Sequence, residues 1–226
     1  MKSYPNIEKL LKKMVDRNKI QHQKTLSNLE YQPFSIALKE NENTLRQLLG
    51  TSQDVMFTKF SIKLKNDDQL NAILVAIDGL VDEEVKRNGI LKPLQNKPLQ
   101  SLPNDHLDEI QDRLPVKQIT VESNLIKAVH QVLKAKILLL VDGNNKGLLI
   151  SAEGYEIRTI KEPETERAVR GAHEGFIEST AVNLSMIRRR ISHPSLHFET
   201  VKIGEFSQTG VTIAYVKDIV DPDLLQ

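Results

Sequence analysis

Two short aliphatic runs, residues 137–141 and 148–150, flank the segment Asp142-Gly143-Asn144-Asn145-Lys146-Gly147. Gly and Asn accept positive φ at little cost, so the segment predicts a turn and its flanks an antiparallel hairpin. The longer run is far below the ~20 apolar residues a bilayer-crossing helix needs. A chain with such runs must bury them as strands beneath helices. A second apolar strand is expected at 73–77, and it too ends in an Asp-Gly pair, Asp78-Gly79. The two matching strand ends, 76–79 and 140–143, are too short to establish a repeat.

Around these strands the pattern alternates between helix and sheet. Residues 6–30 read as a basic amphipathic helix capped by Asn6, with Ile7, Leu10, Leu11 and Met14 on one face and Lys9, Lys12, Lys13 and Arg17 around it. A short helix at 44–49 and a strand at 57–64 precede the 73–77 run. A helix at 81–91 carries Asp82, Glu83 and Glu84 in its first turn, where the helix dipole favours acids. Pro93, Pro98, Pro103 and Pro115 then punctuate a polar stretch that reads as a surface connection. Beyond it, Thr120 is the expected cap of a helix reaching Lys134, and two further strands are expected at 199–203 and 211–216.

The expected fold is α/β (mixed α+β): two small α/β subdomains, each a mixed sheet with packed helices, preceded by an N-terminal helix. The boundaries are 1–40 for the helical region, 41–115 for the first subdomain and 116–226 for the second.

The densest concentration of functional residue types is 162–191, EPETERAVRGAHEGFIESTAVNLSMIRRRI. Pro163 suits a first helical turn, and Gly171 and Gly175 interrupt the helix. A second helix is expected after Gly175, with Phe176, Thr180, Asn183, Ile187 and Ile191 near one stripe. Arg188, Arg189 and Arg190 occupy its last turn, where cations are favoured. Successive helical residues point about 100° apart, so the three cannot grip one anion.

This segment resembles the signature of GerA-type spore germinant receptor A subunits, whose pattern is close to EPxTExxVRGPREGFxE followed by TN and LIRRRI. The resemblance rests on Glu162, Pro163, Thr165, Glu166, Val169, Arg170, Gly171, Glu174, Gly175, Phe176, Glu178, Asn183 and the run 187–191. The hairpin at 138–155, Pro194 and Gly204 extend it. Ala172, His173 and Val182 depart from the pattern, which usually has Pro, a basic residue and Thr there.

The resemblance implies the soluble N-terminal domain of a nutrient receptor subunit in the spore inner membrane, and the lack of a secretory signal and of cysteine gives the core or cytoplasmic side as the expected location. It implies partners as well: B and C receptor subunits, a small nutrient (amino acid, sugar or nucleoside), and a membrane reached through a transmembrane region absent from this chain. It also allows a homo-oligomer in the full receptor. Ligand-binding or subunit-coupling candidates are Glu162, Glu166, Arg170, Gly171, Glu174, Gly175, Asn183, Arg188, Arg189 and Arg190. Two roles are open: binding nutrient between the subdomains, with Arg170 holding a carboxylate, or docking the other subunits with nutrient sensed elsewhere.

Other chemistries find no foothold. Cysteine is absent, so thiolate catalysis and Cys-based metal sites are excluded. His193 and His197 are four apart, but Pro194 lies between them and no third ligand is evident, so no metal and no cofactor are expected. Neither a P-loop, a Gly-x-Gly-x-x-Gly nor a Gly-x-Ser-x-Gly elbow occurs, and the chain is expected not to be an enzyme. A net charge of +1 with 4% aromatics gives no reason to expect nucleic acid.

Overall fold

The computed structural model describes residues 31–50, 52–100, 106–154 and 175–225. The amphipathic helix expected at 6–30 lies outside them. Helix α1 (Leu38–Leu49) leads into strands β1 (Val55–Lys63) and β2 (Gln69–Ile77). A π-helical stretch (Val85–Leu91) continues as α2 (Lys92–Asn96), followed by α3 (His106–Arg113), β3 (Ile119–Glu122) and α4 (Leu125–Val132). Strands β4 (Lys136–Val141) and β5 (Gly147–Ser151) form the expected hairpin, with Gly143 at φ 81° in its turn. Helix α5 (Thr180–Arg190), β6 (Leu196–Ile203), β7 (Thr209–Val216) and a 3-10 turn (Pro222–Leu225) complete the described chain.

The mixed α+β class is the observed one, but the strands are not shared out as expected. Strands placed in separate subdomains, 41–115 and 116–226, join one five-stranded sheet of order β1-β2-β4-β5-β3. Every neighbouring pair in it is antiparallel, so the sheet is not mixed. The reason lies in β2 and β4, which are apolar at consecutive positions. Such a strand must be covered on both faces, so it belongs in the middle of a sheet. The two strands meet there, with Ala72 opposite Val141 and Val75 opposite Leu138.

Each face of the sheet has its own core. Ile73, Val75 and Ile77 pack with Leu45 and Leu49 of α1 and with Val129 and Val132 of α4. Ala72, Leu74 and Ala76 point the other way, onto Ile90, Leu94, Leu99 and Ile110. The proline-rich stretch is therefore no mere surface connection: it supplies α2, α3 and buried leucines to this second layer.

Local chemistry sets the element ends. Lys92 N–H donates to Arg87 O, five residues back, just before Pro93. In a regular helix the Pro93 ring would meet the carbonyl of Gly89, and the widened turn accommodates it. Asp82 Oδ1 accepts from the amides of Glu84 and Val85 at 2.7 and 3.3 Å, the capping expected of that acidic cluster. At α4 the cap is Asn124, whose Oδ1 accepts from Ile126 and Lys127 at 2.9 and 3.3 Å. Thr120, expected in that role, lies in β3, because the helix starts later than the apolar pattern suggests.

The segment α5-β6-β7 repeats α1-β1-β2. Each helix is followed by a five-residue connection (50–54, 191–195), and each hairpin closes with a five-residue loop (64–68, 204–208). Asn41 Oδ1 accepts from Ser35 N–H at 2.8 Å while its amide donates to Ser35 O at 2.7 Å. Asn183 makes the same pair of bonds with Ile177, at 2.8 and 2.7 Å. Arg46 lies over the Phe57 ring at 4.0 Å, and Arg188 over Phe198 at 5.0 Å. Asp221, like Asp82, caps the helical turn after its hairpin, accepting from Asp223 N–H at 3.1 Å. This repeat is distinct from the matching Asp-Gly strand ends, which lie on neighbouring antiparallel strands of one sheet.

Candidate functional site

The best-connected polar centre in the described residues joins the second unit to the first. Arg188, on the last turn of α5, is 1% exposed. Its guanidinium forks onto the Asp54 carboxylate, Nε to Oδ2 at 2.7 Å and Nη2 to Oδ1 at 2.9 Å. Nη1 donates to His193 O and Nη2 to Leu196 O, each at 3.0 Å, and Nη2 reaches Ser52 Oγ at 3.3 Å. Ser52 Oγ donates to Asp54 Oδ1 at 2.5 Å and accepts from Phe198 N–H at 3.0 Å. A planar guanidinium matched to a carboxylate, with its remaining donors satisfied, is an arrangement in which a buried charge pair is tolerated.

The centre sits where three segments converge. Asp54 O accepts from Asp78 N–H at 2.7 Å, tying the start of β1 to the end of β2. Gln53 N–H donates to Phe198 O at 3.2 Å, and its side chain accepts from Thr200 N–H at 3.1 Å, tying the same loop to β6. His197 packs beside them, buried, its ring stacked on Tyr215 at 5.8 Å between centroids. Desolvation holds the His197 pKa below the ordinary imidazole value, and the positive charges of Lys217 and Arg188 push it the same way against Glu199 and Asp54. The ring lies directly on Gly50, where φ is 69° and a Cβ would fall 2.0 Å from His197 Cε1. Only glycine fits there.

Of the residues singled out in the sequence, Glu162, Glu166, Arg170, Gly171 and Glu174 lie outside the described residues. Gly175 precedes α5 in irregular structure. Asn183 is the brace at the helix start, and the three arginines do diverge: Arg188 is buried, Arg189 half-buried and Arg190 exposed. The apolar stripe expected on this helix is not its inward face. Ser185, Met186 and Arg188 are buried, while Phe176 and Ile191 are exposed. The ion pair sets the rotation of α5 where hydrophobicity alone would have turned the aliphatics inward. Asp54 and Ser52 were not anticipated, and a short Ser-x-Asp before a strand carries no signal that could have found them. Near His193, the ring Nδ1 accepts from Ser195 N–H at 3.2 Å, a local turn contact. Among the described residues no group of three acidic or histidine side chains converges as metal ligands, and no helix is long and apolar enough to cross a membrane.

Comparison with known proteins points one way. Residues 43–226 match the family model described as Bacillus/Clostridium GerA spore germination protein. Among Bacillus subtilis proteins, the chain is 30% identical over 202 residues to "Uncharacterized membrane protein YfkQ", covering 89% of the chain and 38% of that protein. It is 30% identical over 195 residues to "Spore germination protein KA", covering 85% and 35%. It is 33% identical over 178 residues to "Stage V sporulation protein AF", covering 79% and 35%. The chain thus spans little more than a third of the length of these relatives. It also superposes on the crystal structure of the N-terminal domain of the A subunit of the Bacillus megaterium spore germinant receptor GerK3. That match has a TM-score of 0.65 and 25% identity, and covers 86% of this chain and 70% of the other.

Proposed function

This chain belongs to the Bacillus/Clostridium GerA spore germination protein family, and we propose that it is a non-catalytic relay and docking part of a germinant receptor A subunit. Its role is to transmit a nutrient signal between receptor subunits at the spore inner membrane. The observation that carries this reading is the Arg188–Asp54 fork, which fastens the motif helix α5 to the end of the large sheet. A displacement of α5 by a neighbouring B or C subunit would reach β1 and β2 through a buried charge pair anchored on the short connection that enters β1. Two packed arrangements of such a joint are the kind of element a bound partner can bias.

Direct sensing was expected to use a cleft between two subdomains. No such cleft separates β2 from β4, which share one sheet; the boundary present lies between that sheet and the α5-β6-β7 unit, and the buried Arg188–Asp54 joint across it is what supports the relay reading.

The test combines binding and germination. The domain is titrated by NMR with a panel of amino acids, sugars and nucleosides, and spores carrying Arg188→Lys are assayed for nutrient response and for recovery of the B and C subunits with the A subunit. A silent panel with impaired response and weakened association supports the relay. Saturable shifts from one nutrient class would transfer the proposal to sensing.

A further inference from the structure

A titratable ring lies in the contact between the two units. His197 is buried, and by the repeat its place corresponds to Met56 of the first unit. Met56 lies opposite Ala76 in its hairpin, whereas His197 lies opposite Tyr215. The His197 ring is seated on Gly50, the residue that ends α1, and turns its Cε1–Nε2 edge to it: a Cβ on Gly50 would fall 2.0 Å from Cε1 and 2.7 Å from Nε2. Where the first unit has a thioether, the second thus carries an ionisable group at the point where the units touch.

Charges face this ring from the elements around it. Arg188 of α5 and Lys217, just past β7, are positive; Glu199 of β6 and Asp54, at the entry to β1, are negative. Both acids are already engaged. Glu199 accepts from the Tyr215 hydroxyl, and Asp54 holds the Arg188 fork and Ser52 Oγ. The carboxyl end of α1 also attracts a cation, but among the described residues no group forms a hydrogen bond with either ring nitrogen. A neutral imidazole suits this place. An imidazolium would be a third positive charge in a desolvated contact, with no carboxylate left to answer it.

We propose that His197 is an acid-operated release between the units. Protonation drives the ring off Gly50 toward solvent, the hydrogen bonds between residues 52–53 and β6 open with it, and α5-β6-β7 turns more freely against the five-stranded sheet. At neutral pH and above, the contact is closed. Burial lowers the pKa of the seated ring, so the contact weakens as pH falls below 6.5 and weakens no further once that lowered value is passed. Such a release needs only the contact and not a relay through it, so either can fail while the other stands.

Hydrogen exchange followed by NMR from about pH 8 to about pH 5 tests it, each amide's rate being divided by that of an unstructured peptide at the same pH. The reporters are the amides of Gln53, Phe198 and Thr200, which donate to Phe198 O, Ser52 Oγ and the Gln53 side chain. Val75 and Leu138, paired between β2 and β4, are the controls. Protection of the reporters is expected to fall about tenfold or more relative to the controls, at the midpoint where the His197 ring itself titrates. In His197→Met, which puts the first unit's residue there, the fall is expected to vanish. A fall that persists in that variant would overturn the proposal. So would equal losses at reporters and controls, or a His197 titration that leaves the reporters steady, and both of these are read on the unsubstituted chain, whether or not the variant folds.

Discussion

The two units α1-β1-β2 and α5-β6-β7 share a plan and differ in how each uses its arginine. In the first, Arg46 is 49% exposed on its side chain and pairs with Glu42 one helical turn away, at 2.9 Å. In the second, Arg188 occupies the equivalent place but is 1% exposed, and its partner Asp54 comes from the other unit. The same residue at the same helical position is a half-exposed arginine paired within its own helix in one copy and a buried joint between units in the other. Burial of the arginine decides which: a half-exposed guanidinium is screened and leaves Glu42 still paired with Lys59 when removed, while a buried one cannot be lost cheaply.

That contrast predicts a hierarchy of mutational costs. Arg188→Ala strands the Asp54 carboxylate in a dry site and is expected to cost about 3–5 kcal/mol in urea unfolding. Arg46→Ala is expected to cost under about 1 kcal/mol, and comparable losses at the two sites would break the comparison. Gly50→Ala adds a Cβ at positive φ against His197, where the first unit touches the second. An expected loss of about 2 kcal/mol or more, with chemical shift changes centred on β6, checks that contact.

The asparagine braces sharpen the comparison further. Asn41 is buried and Asn183 half-buried, with the same bonds. Asn41→Ala should cost about 1–3 kcal/mol, because the half-buried backbone groups of Ser35 lose a buried partner, and Asn183→Ala less than about half of that, since water can replace the side chain. The smallest effect concerns pH. The folded pKa of His197 is lowered, so below the unfolded value of about 6.5 the unfolded chain binds more protons than the folded one. Stability therefore falls as pH drops through the window beneath 6.5 and levels off once the folded-state pKa is passed. His197→Gln should flatten that part of the stability profile, and an unchanged slope would remove His197 as its source.

Much of the local structure was legible in the sequence. The hairpin at 137–150 follows from a Gly- and Asn-rich turn between aliphatic runs, and the Asp82 cap from an acid at the start of a helix. Strand ends at 203 and 216 and the end of α5 at Arg190 fell where turn residues and the arginine run placed them. Less legible was the site. Asp54 and Arg188 are 134 positions apart, and each alone resembles an ordinary surface charge. The repeat was hidden for a related reason. It is carried by Asn41 with Asn183, Arg46 with Arg188, Phe57 with Phe198 and Asp82 with Asp221, four isolated positions among otherwise different side chains.

By itself the sequence determined the kinds of element and the family, because periodicity, turn chemistry and the run of motif residues are local along the chain. Which strands share a sheet, which way α5 faces and which arginine becomes a joint were decided only by the tertiary structure. Those outcomes depend on desolvating groups from distant segments together, and the free energy of burying a charge exists only once its partner is already in place.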